Sequence, residues 1–364
     1  MSLSDMTTRL CRLLGIRHPV VLAGMAGGPT TPELVAAVSR AGGLGTLGLS
    51  LLSVDGARAA VARARELTDA PVAVNVLVAP PLPPSPGGAD PQPVLAALRA
   101  ELGLPPDPPR PAPPPTAREL VAAGLEAGAR VVSVGLGDPG DVRDLAADAG
   151  APLMAMASTV ADAVRAVEAG ADVIVAQGSE AGGHRSSFDV PPDGVVPLIG
   201  TFALIPQVVA AVDVPVVATG GIMNGRGLAA ALALGAEGVQ MGTRFLMAAE
   251  SGVPEGYRRR LAQARDTDTV ITRAVSGRPA RGIRNRLVAA LEDAGPPGLG
   301  YPAQGGASAD LRAAAAAADE PEFIALWAGQ AAGLARTSEP AERLVEEIVQ
   351  EARAVLRALA SGDA

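Results

Sequence analysis

The sequence predicts an α/β protein folded as a (β/α)8 TIM barrel, with a proline-rich excursion after the third strand and a C-terminal helical extension forming a lid. Three observations lead there. Over the first 245 residues one unit recurs: a short β-branched run, a glycine-rich turn, then an alanine-rich amphipathic helix ending in glycine. The strand-like runs are nearly continuous in apolar residues, which suits a parallel sheet covered by helices. Eight such runs are found, the number that closes a barrel, with a doubly wound sheet as the fallback.

In chain order the strands are expected at Val20–Ala26, Leu44–Gly48, Val72–Val78, Val131–Gly137, Pro152–Ser158, Val173–Gln177, Pro215–Gly220 and Gly238–Phe245. Helix ends are marked by "AGGLG" at 41, "AGAR" at 127, "AGAP" at 149, "AGAD" at 169 and "LGAE" at 234, each with a glycine suited to a left-handed C-cap. Between the third and fourth strands, "APPLPPSPGGADPQP" and "LGLPPDPPRPAPPP" flank a helical stretch at Val94–Leu102. Proline at that density holds a semi-rigid path, read as an excursion over the barrel mouth or as a mere spacer. Residues 1–245 are taken as the barrel core and 246–364 as a helical extension packed on it and covering the active site. The last helix is expected to begin near Ser338, with that serine as N-cap.

Composition narrows the chemistry. A net charge of -8 and the absence of any basic run argue against nucleic acid or an anionic membrane as partner. No apolar window has the length of a membrane span and the N-terminal stretch lacks a signal-peptide core, so a cytoplasmic protein is expected. The one cysteine, Cys11, precedes the first strand, which leaves disulfides and cysteine-based metal sites without residues, and no metal site is expected. All 30 basic residues are arginine, so lysine Schiff-base chemistry is excluded. A small-molecule substrate remains, and a homodimer is the one macromolecular association left open.

Function in such a barrel sits at the C-terminal ends of the strands. There the chain offers "AGMAGG" after strand one, Asn75 on strand three, "QGSEAGGHR" after strand six, "TGGIMNGRG" after strand seven and "MGTRF" at strand eight. Gly220 and Gly221 with Gly242 and Thr243 fall where many barrels hold a phosphate on backbone N–H groups. His184, after Gly182 and Gly183, offers a proton-exchanging imidazole, and Glu180 either orients it or stands in solvent. His18, before strand one, faces the other end of the barrel.

Four stretches, "VLAGMAGGPTTPELVAAVSRAGGLGTLG", "AQGSEAGGHR", "PVVATGGIMNGRGLAAALALGAEGVQMGTRFL" and "TRAVSGRPARGIRNRL", resemble the FMN-dependent nitronate monooxygenase family, formerly called 2-nitropropane dioxygenases. The likeness covers nearly the whole chain. It implies non-covalent FMN: Ala23, Gly24 and Met25 lining the isoalloxazine, Asn75 bonding near it, Gln177, Ala181, Gly182 and Gly183 at its edge, and Gly220, Gly221, Gln240, Gly242 and Thr243 on the ribityl phosphate. His184 matches the family's catalytic histidine. The implied reaction takes an alkyl nitronate and O2 to a carbonyl compound and nitrite, with one-electron transfer to FMN. A flavin accepting an electron needs positive potential, which here must come from arginine, protonated His184 or backbone N–H groups.

The chain departs from the family in three places. Members often read "SFxFG" at strand four where this chain has "VSVGLG", some carry a lysine on strand five where Met154 and Met156 stand, and the histidine motif continues "RSSF". All three lie where substrate or flavin would be touched. Tyr301 and Trp327 each have two readings, over the flavin mouth or in the core, the second being the commoner fate. Two other functions are kept beside the first: an FMN-dependent enoyl-thioester reductase using NAD(P)H, with the arginines of "GRPARGIRNR" meeting a phosphopantetheine, and a specialised flavoprotein of a biosynthetic pathway.

Overall fold

A computed structural model describes residues 6–106 and 114–362. The centre of the proline-rich run, 107–113, lies outside the described residues. Eleven strands are found among the described residues: β1 (Val20–Leu22), β2 (Gly45–Gly48), β3 (Val72–Leu77), β4 (Val131–Gly135), β5 (Leu153–Ala157), β6 (Val173–Gln177), β7 (Gly183–His184), β8 (Val216–Thr219), β9 (Gly238–Met241), β10 (Thr269–Thr272) and β11 (Ala280–Ile283). Eight pair in parallel in the order β1-β9-β8-β6-β5-β4-β3-β2. The ring closes between Val21 and Leu44, where Leu22 N–H donates to Leu44 O and Leu44 N–H to Val20 O, each at 2.9 Å. This is the barrel expected, with the sequence's strands seven and eight appearing as β8 and β9. All five glycines marked as helix ends, 42, 128, 150, 170 and 235, take left-handed φ.

The barrel interior is graded along its axis. Near the N-terminal ends, inward positions are apolar: Val21, Leu44, Ala73, Val131, Met154, Val173, Val175 and Val217 form one cluster with Leu10, Cys11 and Leu14 of the first helix, Arg9–Leu14, which plugs that end. Two residues further on, the same faces carry Asn75, Ser133, Gln177 and Thr219, all buried. A polar floor at the C-terminal rim therefore lies over an apolar plug. Cys11, buried and free, is part of the plug.

Several expectations need correction. The eighth strand ends at Met241, because Gly242 turns the chain into a short helix, Thr243–Leu246. The last helix runs Ala341–Ser361 and is not capped by Ser338; its first N–H, on Ala341, is taken by the Glu250 carboxylate at 2.9 Å. Its apolar stripe, Leu344, Val345, Ile348, Val349 and Ala352, belongs to the barrel's own core and packs on the helix Gly225–Ala233. A Cβ on Gly225 would meet Ile348 O at 2.4 Å, so only glycine permits that approach. Packing thus groups the last helix with the barrel, and residues 246–340 form an insertion between β9 and that helix. Nor is the insertion wholly helical: β10 and β11 make an antiparallel pair, and β11 pairs with β7, Ala280 opposite His184 and Arg281 opposite Gly183.

The insertion and the proline-rich excursion share a second core. The excursion helix, Gln92–Glu101, contributes Leu95 and Leu98 to a cluster with Leu287, Leu291, Leu311 and Phe323. Arg99, fully buried, pairs with both oxygens of Asp310 at 2.9 and 3.0 Å and donates to Ala307 O at 2.6 Å. Asp310→Ala would leave that guanidinium without its carboxylate. Urea unfolding should show a loss of about 3 kcal/mol, the low end for a broken buried pair because Asp310 is partly in water; an unchanged midpoint would mean the pair does not join the two segments.

Candidate active site

The rim residues singled out from the sequence converge at the C-terminal end of the barrel. Gln177, Thr219 and Gln240 are lateral neighbours on β6, β8 and β9, and Asn75 stands opposite Gly48 and Ser133. Asn75 Nδ2 donates to Ser133 Oγ at 3.1 Å, and a Cβ on Gly24 would meet Asn75 Cβ at 2.4 Å, which pins the turn after β1 onto β3. Gly242 lies under Ala23 and Met25, its missing Cβ 3.5 Å from Ala23 Cβ and 3.4 Å from Met25 Sδ. Gly220 and Gly221 take φ of 115° and 70°, conformations that L side chains rarely adopt. The Ala181 N–H, which donates to Gly178 O, is beside Gly220.

The two glycines before the histidine differ in what they permit. Gly183 has open space where a Cβ would stand. Gly182 is small for another reason: a Cβ there would meet Ala328 C and Gly329 N at 2.6 Å, so the insertion's chain closes on it. That chain is stapled to the rim, since Gly329 N–H donates to Thr243 Oγ1 at 3.0 Å and Gln330 N–H to Glu180 O at 2.8 Å. Gln177 uses its amide to fix the histidine loop, donating to His184 O at 2.9 Å and accepting from Ser186 N–H at 2.8 Å.

Glu180 neither orients His184 nor stands in solvent. Its carboxylate accepts from Thr201 N–H and Oγ1, capping the helix Thr201–Ala211, whose N-cap Gly200 has no side chain to do so. The partner of His184 is Ser276, with Nε2 and Oγ 3.0 Å apart. Ser276 Oγ donates to Arg278 O and accepts from Arg278 N–H. Nε2 is thus the ring nitrogen engaged by Ser276.

Tyr301 and Trp327 both face the imidazole, Tyr301 edge-on at 6.0 Å between ring centroids and Trp327 tilted at 5.6 Å. Neither fills the core away from the site. Tyr301 is held by the excursion through reciprocal main-chain bonds with Leu82, and Trp327 by Tyr257, whose hydroxyl donates to Trp327 O at 2.6 Å.

Positive charge surrounds this corner. Arg185 donates to Gln177 O and Ser158 O, and Arg281 to Ser179 O and Thr269 Oγ1. Arg278 is fully buried and donates through Nη2 to Leu136 O and Ser187 O. Burial, with the fields of Arg278 and Arg312, lowers the His184 pKa from 6.5 to about 4. At neutral pH the imidazole is uncharged, so the positive potential at the rim comes from arginine. Ser276 was not singled out from the sequence, and neither was Thr46, whose Oγ1 is buried without a partner among the described residues and whose Cγ2 flanks Gly24; Arg278 was, but only as one of the arginines of "GRPARGIRNR" offered to a phosphopantetheine.

A cleft of about 520 Å3 elsewhere, lined by Met247, Glu255, Arg258 and Arg336 among others, contains none of these groups. No group of acidic, histidine or cysteine side chains suited to a metal ion occurs among the described residues, and none of their helices is long and apolar enough to cross a membrane.

Residues 7–351 match the family model for nitronate monooxygenase. The chain belongs to the nitronate monooxygenase family. It is 38% identical over 358 residues to a probable nitronate monooxygenase of Staphylococcus saprophyticus, covering 96% of this chain and 99% of that one. Among solved structures it is similar to nitroalkane oxidase from Streptomyces ansochromogenes, with TM-score 0.85, 37% identity and coverage of 96% and 99%. It is also similar to FabK from Thermotoga maritima, with TM-score 0.77, 31% identity and coverage of 98% and 99%. An enoyl reductase domain of MlnA from Bacillus amyloliquefaciens, at 12% identity and TM-score 0.67, shares the fold. As a member of this family the protein is an oxidoreductase, flavin-dependent and acting on nitro compounds.

Because the chain has two histidines, a proton NMR titration shows two imidazole signals, and one should stay unprotonated down to about pH 4. His184→Gln should remove that signal. The linkage has a definite sign: between pH 6.5 and about 4 the unfolded chain takes a proton that the folded chain refuses, so stability falls as pH drops through that window, and His184→Gln should flatten the fall.

Proposed function

We propose that the protein binds FMN at the C-terminal rim and uses O2 to oxidise small alkyl nitronates to a carbonyl compound and nitrite. The observation that carries this reading is His184: an uncharged imidazole, its Nε2 held by Ser276, at the rim and beside two aromatic rings.

The residues fit such a cofactor. Gly183 presents open space, Gly220 and Gly221 bring backbone close without side chains, and the hydroxyl of Thr46 has no protein partner. Ala23, Gly24 and Met25 would bed the ring, Asn75, Gln177, Ala181, Gly182 and Gly183 would edge it, and Gly220, Gly221, Gln240, Gly242 and Thr243 would hold the phosphate. When bound, FMN supplies the one-electron chemistry that no side chain of this chain has. The chain supplies the rest. Nδ1 of His184 takes the proton from the α-carbon of a neutral nitroalkane, or accepts a hydrogen bond from a protonated substrate. Tyr301, whose pKa burial raises, stays a neutral hydroxyl at the same wall. Trp327 and the stapled 328–330 segment exclude water from the ring face.

The decisive experiment follows the visible spectrum of the purified protein. Heat-released cofactor should have the mass of FMN. Anaerobic mixing with ethylnitronate should bleach the flavin absorbance, and air should restore it with release of nitrite. A flavin that ignores ethylnitronate and bleaches with NADPH would replace this reading with the enoyl-thioester reductase. His184→Gln should lower kcat/KM for neutral nitroethane on the order of 100-fold or more, the scale of a lost general base, and should affect ethylnitronate less; equal loss on both substrates would remove the base assignment.

A further inference from the structure

Two arginines among the described residues are fully buried, and they differ in one respect. Arg99 is matched by Asp310, Ala307 O, Gln92 and Pro106 O, with no guanidinium nitrogen left over. Arg278 is not. Its Nη2 donates to Leu136 O and Ser187 O, while Nε and Nη1 are buried with no acceptor among the described residues. No carboxylate of the described residues lies within ion-pair distance of it. A guanidinium stays charged in any protein setting, and a buried charge without a counter-charge is strongly disfavoured unless something else completes it.

What surrounds those unused donors is specific. The Tyr301 ring lies 5.8 Å from the guanidinium carbon, and the same ring stands edge-on to His184. Arg278 N–H and O both bond Ser276 Oγ, which also holds His184 Nε2. The main chain of Arg278 and the imidazole are therefore fixed to one serine, and the guanidinium and the imidazole share one aromatic wall. Leu136, which receives Nη2, follows β4, and β4 stands across the ring from β9. Gly242 and Thr243, assigned to the cofactor phosphate, follow β9. Arg278 is thus placed on the substrate side of the rim.

We propose that Arg278 is the anion receptor of the site, donating from its unused N–H groups to an oxygen of a nitronate or an equally small carboxylate beside His184 and Tyr301, and so selecting the ionised substrate over its neutral acid. This rests on the nitronate reading for the reaction, and extends it to a residue and a charge state. With Nη2 spent on Leu136 O and Ser187 O, Nε–H and Nη1–H leave opposite edges of the guanidinium, so each meets a single oxygen, and their charge favours an anionic oxygen over a hydroxyl or carbonyl. The flat "VGLG" segment contributes by offering Leu136 O, whose residue takes φ of 72°, as the anchor for Nη2.

The test separates binding from turnover. Propionate presents two oxygens on a trigonal carbon and is not oxidised, so it serves as the probe, with propionamide as its neutral counterpart. Calorimetric titration of the flavin-loaded protein should show propionate binding and no comparable propionamide binding. Fluorescence of Trp327, the one tryptophan, should change with the same saturation. Arg278→Met should weaken propionate on the order of 10- to 100-fold, the scale of lost hydrogen bonds to a charge, and Arg278→Lys should recover part of it. FMN affinity should be unaltered in both variants. If Arg278→Met does not fold, the lysine variant and the propionate-to-propionamide ratio of the wild type still decide.

Failure of propionate to bind the wild type, or equal binding by wild type and variants, overturns the proposal. So does a loss of FMN affinity with propionate affinity intact, which would give Arg278 to the cofactor. The two readings fail separately. Arg278-dependent propionate binding by an enzyme that ignores ethylnitronate leaves the anion receptor standing and removes the nitronate reaction, and nitrite production with propionate binding indifferent to Arg278 does the reverse.

Discussion

A two-residue strand, Gly183–His184, paired with Ala280–Arg281 is the constraint on which the chemistry depends. Without it, His184 would sit on a glycine-flanked loop free to sample many orientations. Pairing fixes the backbone at the imidazole and brings β11 over the rim. With β11 come Ser276 and Arg278 from the turn before it. The insertion supplies both the serine that partners the imidazole and the arginine charge that adds to burial in keeping it unprotonated. The barrel supplies the floor and the insertion supplies the environment, and neither alone makes the site.

The electrostatics follow from a chain without lysine. Guanidinium groups tolerate burial better than ammonium groups because they are weakly hydrated and can spread donors over several carbonyls. Arg185, Arg278 and Arg281 do this, bonding main-chain oxygens of Ser158, Gln177, Leu136, Ser187 and Ser179. The carbonyls hold the guanidinium groups in place but do not cancel their charge. The result is a rim of positive potential with a neutral base in it. Such a rim favours an anionic substrate and adds to burial, the larger cause, in disfavouring protonated His184.

The barrel was legible in the sequence because its signals are local and repeated. A β-branched run such as Val72–Leu77, an alanine helix and a C-cap glycine such as Gly128 each specify their own conformation within a few residues. The site's floor was legible for the same reason, since strand ends locate Asn75, Gln177 and Gly220. What was not legible depends on distance along the chain. β7 and β11 are short and rich in glycine and arginine, and their pairing joins residues almost a hundred positions apart. Nothing near Ser276 announces that its hydroxyl meets an imidazole. Glu180 caps a helix that starts twenty-one residues later, so its closeness to His184 in sequence misled. The helix at Ala341 belongs to the barrel although a long insertion precedes it, because core membership is set by packing and not by order.

The central claim is that one buried arginine field both adds to burial in holding His184 unprotonated and sets the affinity for an anion. Arg278 and Arg312 press on the imidazole from the insertion side, and Tyr301 at the same wall stays neutral. If the claim is right, the two properties are linked: an anion seated at Arg278 cancels part of the field and makes His184 easier to protonate. The direct measurement is the His184 pKa by NMR titration without and with saturating propionate. The account requires the value near 4 to rise clearly when propionate is bound; a value that does not move would mean that the anion and the histidine do not share one site.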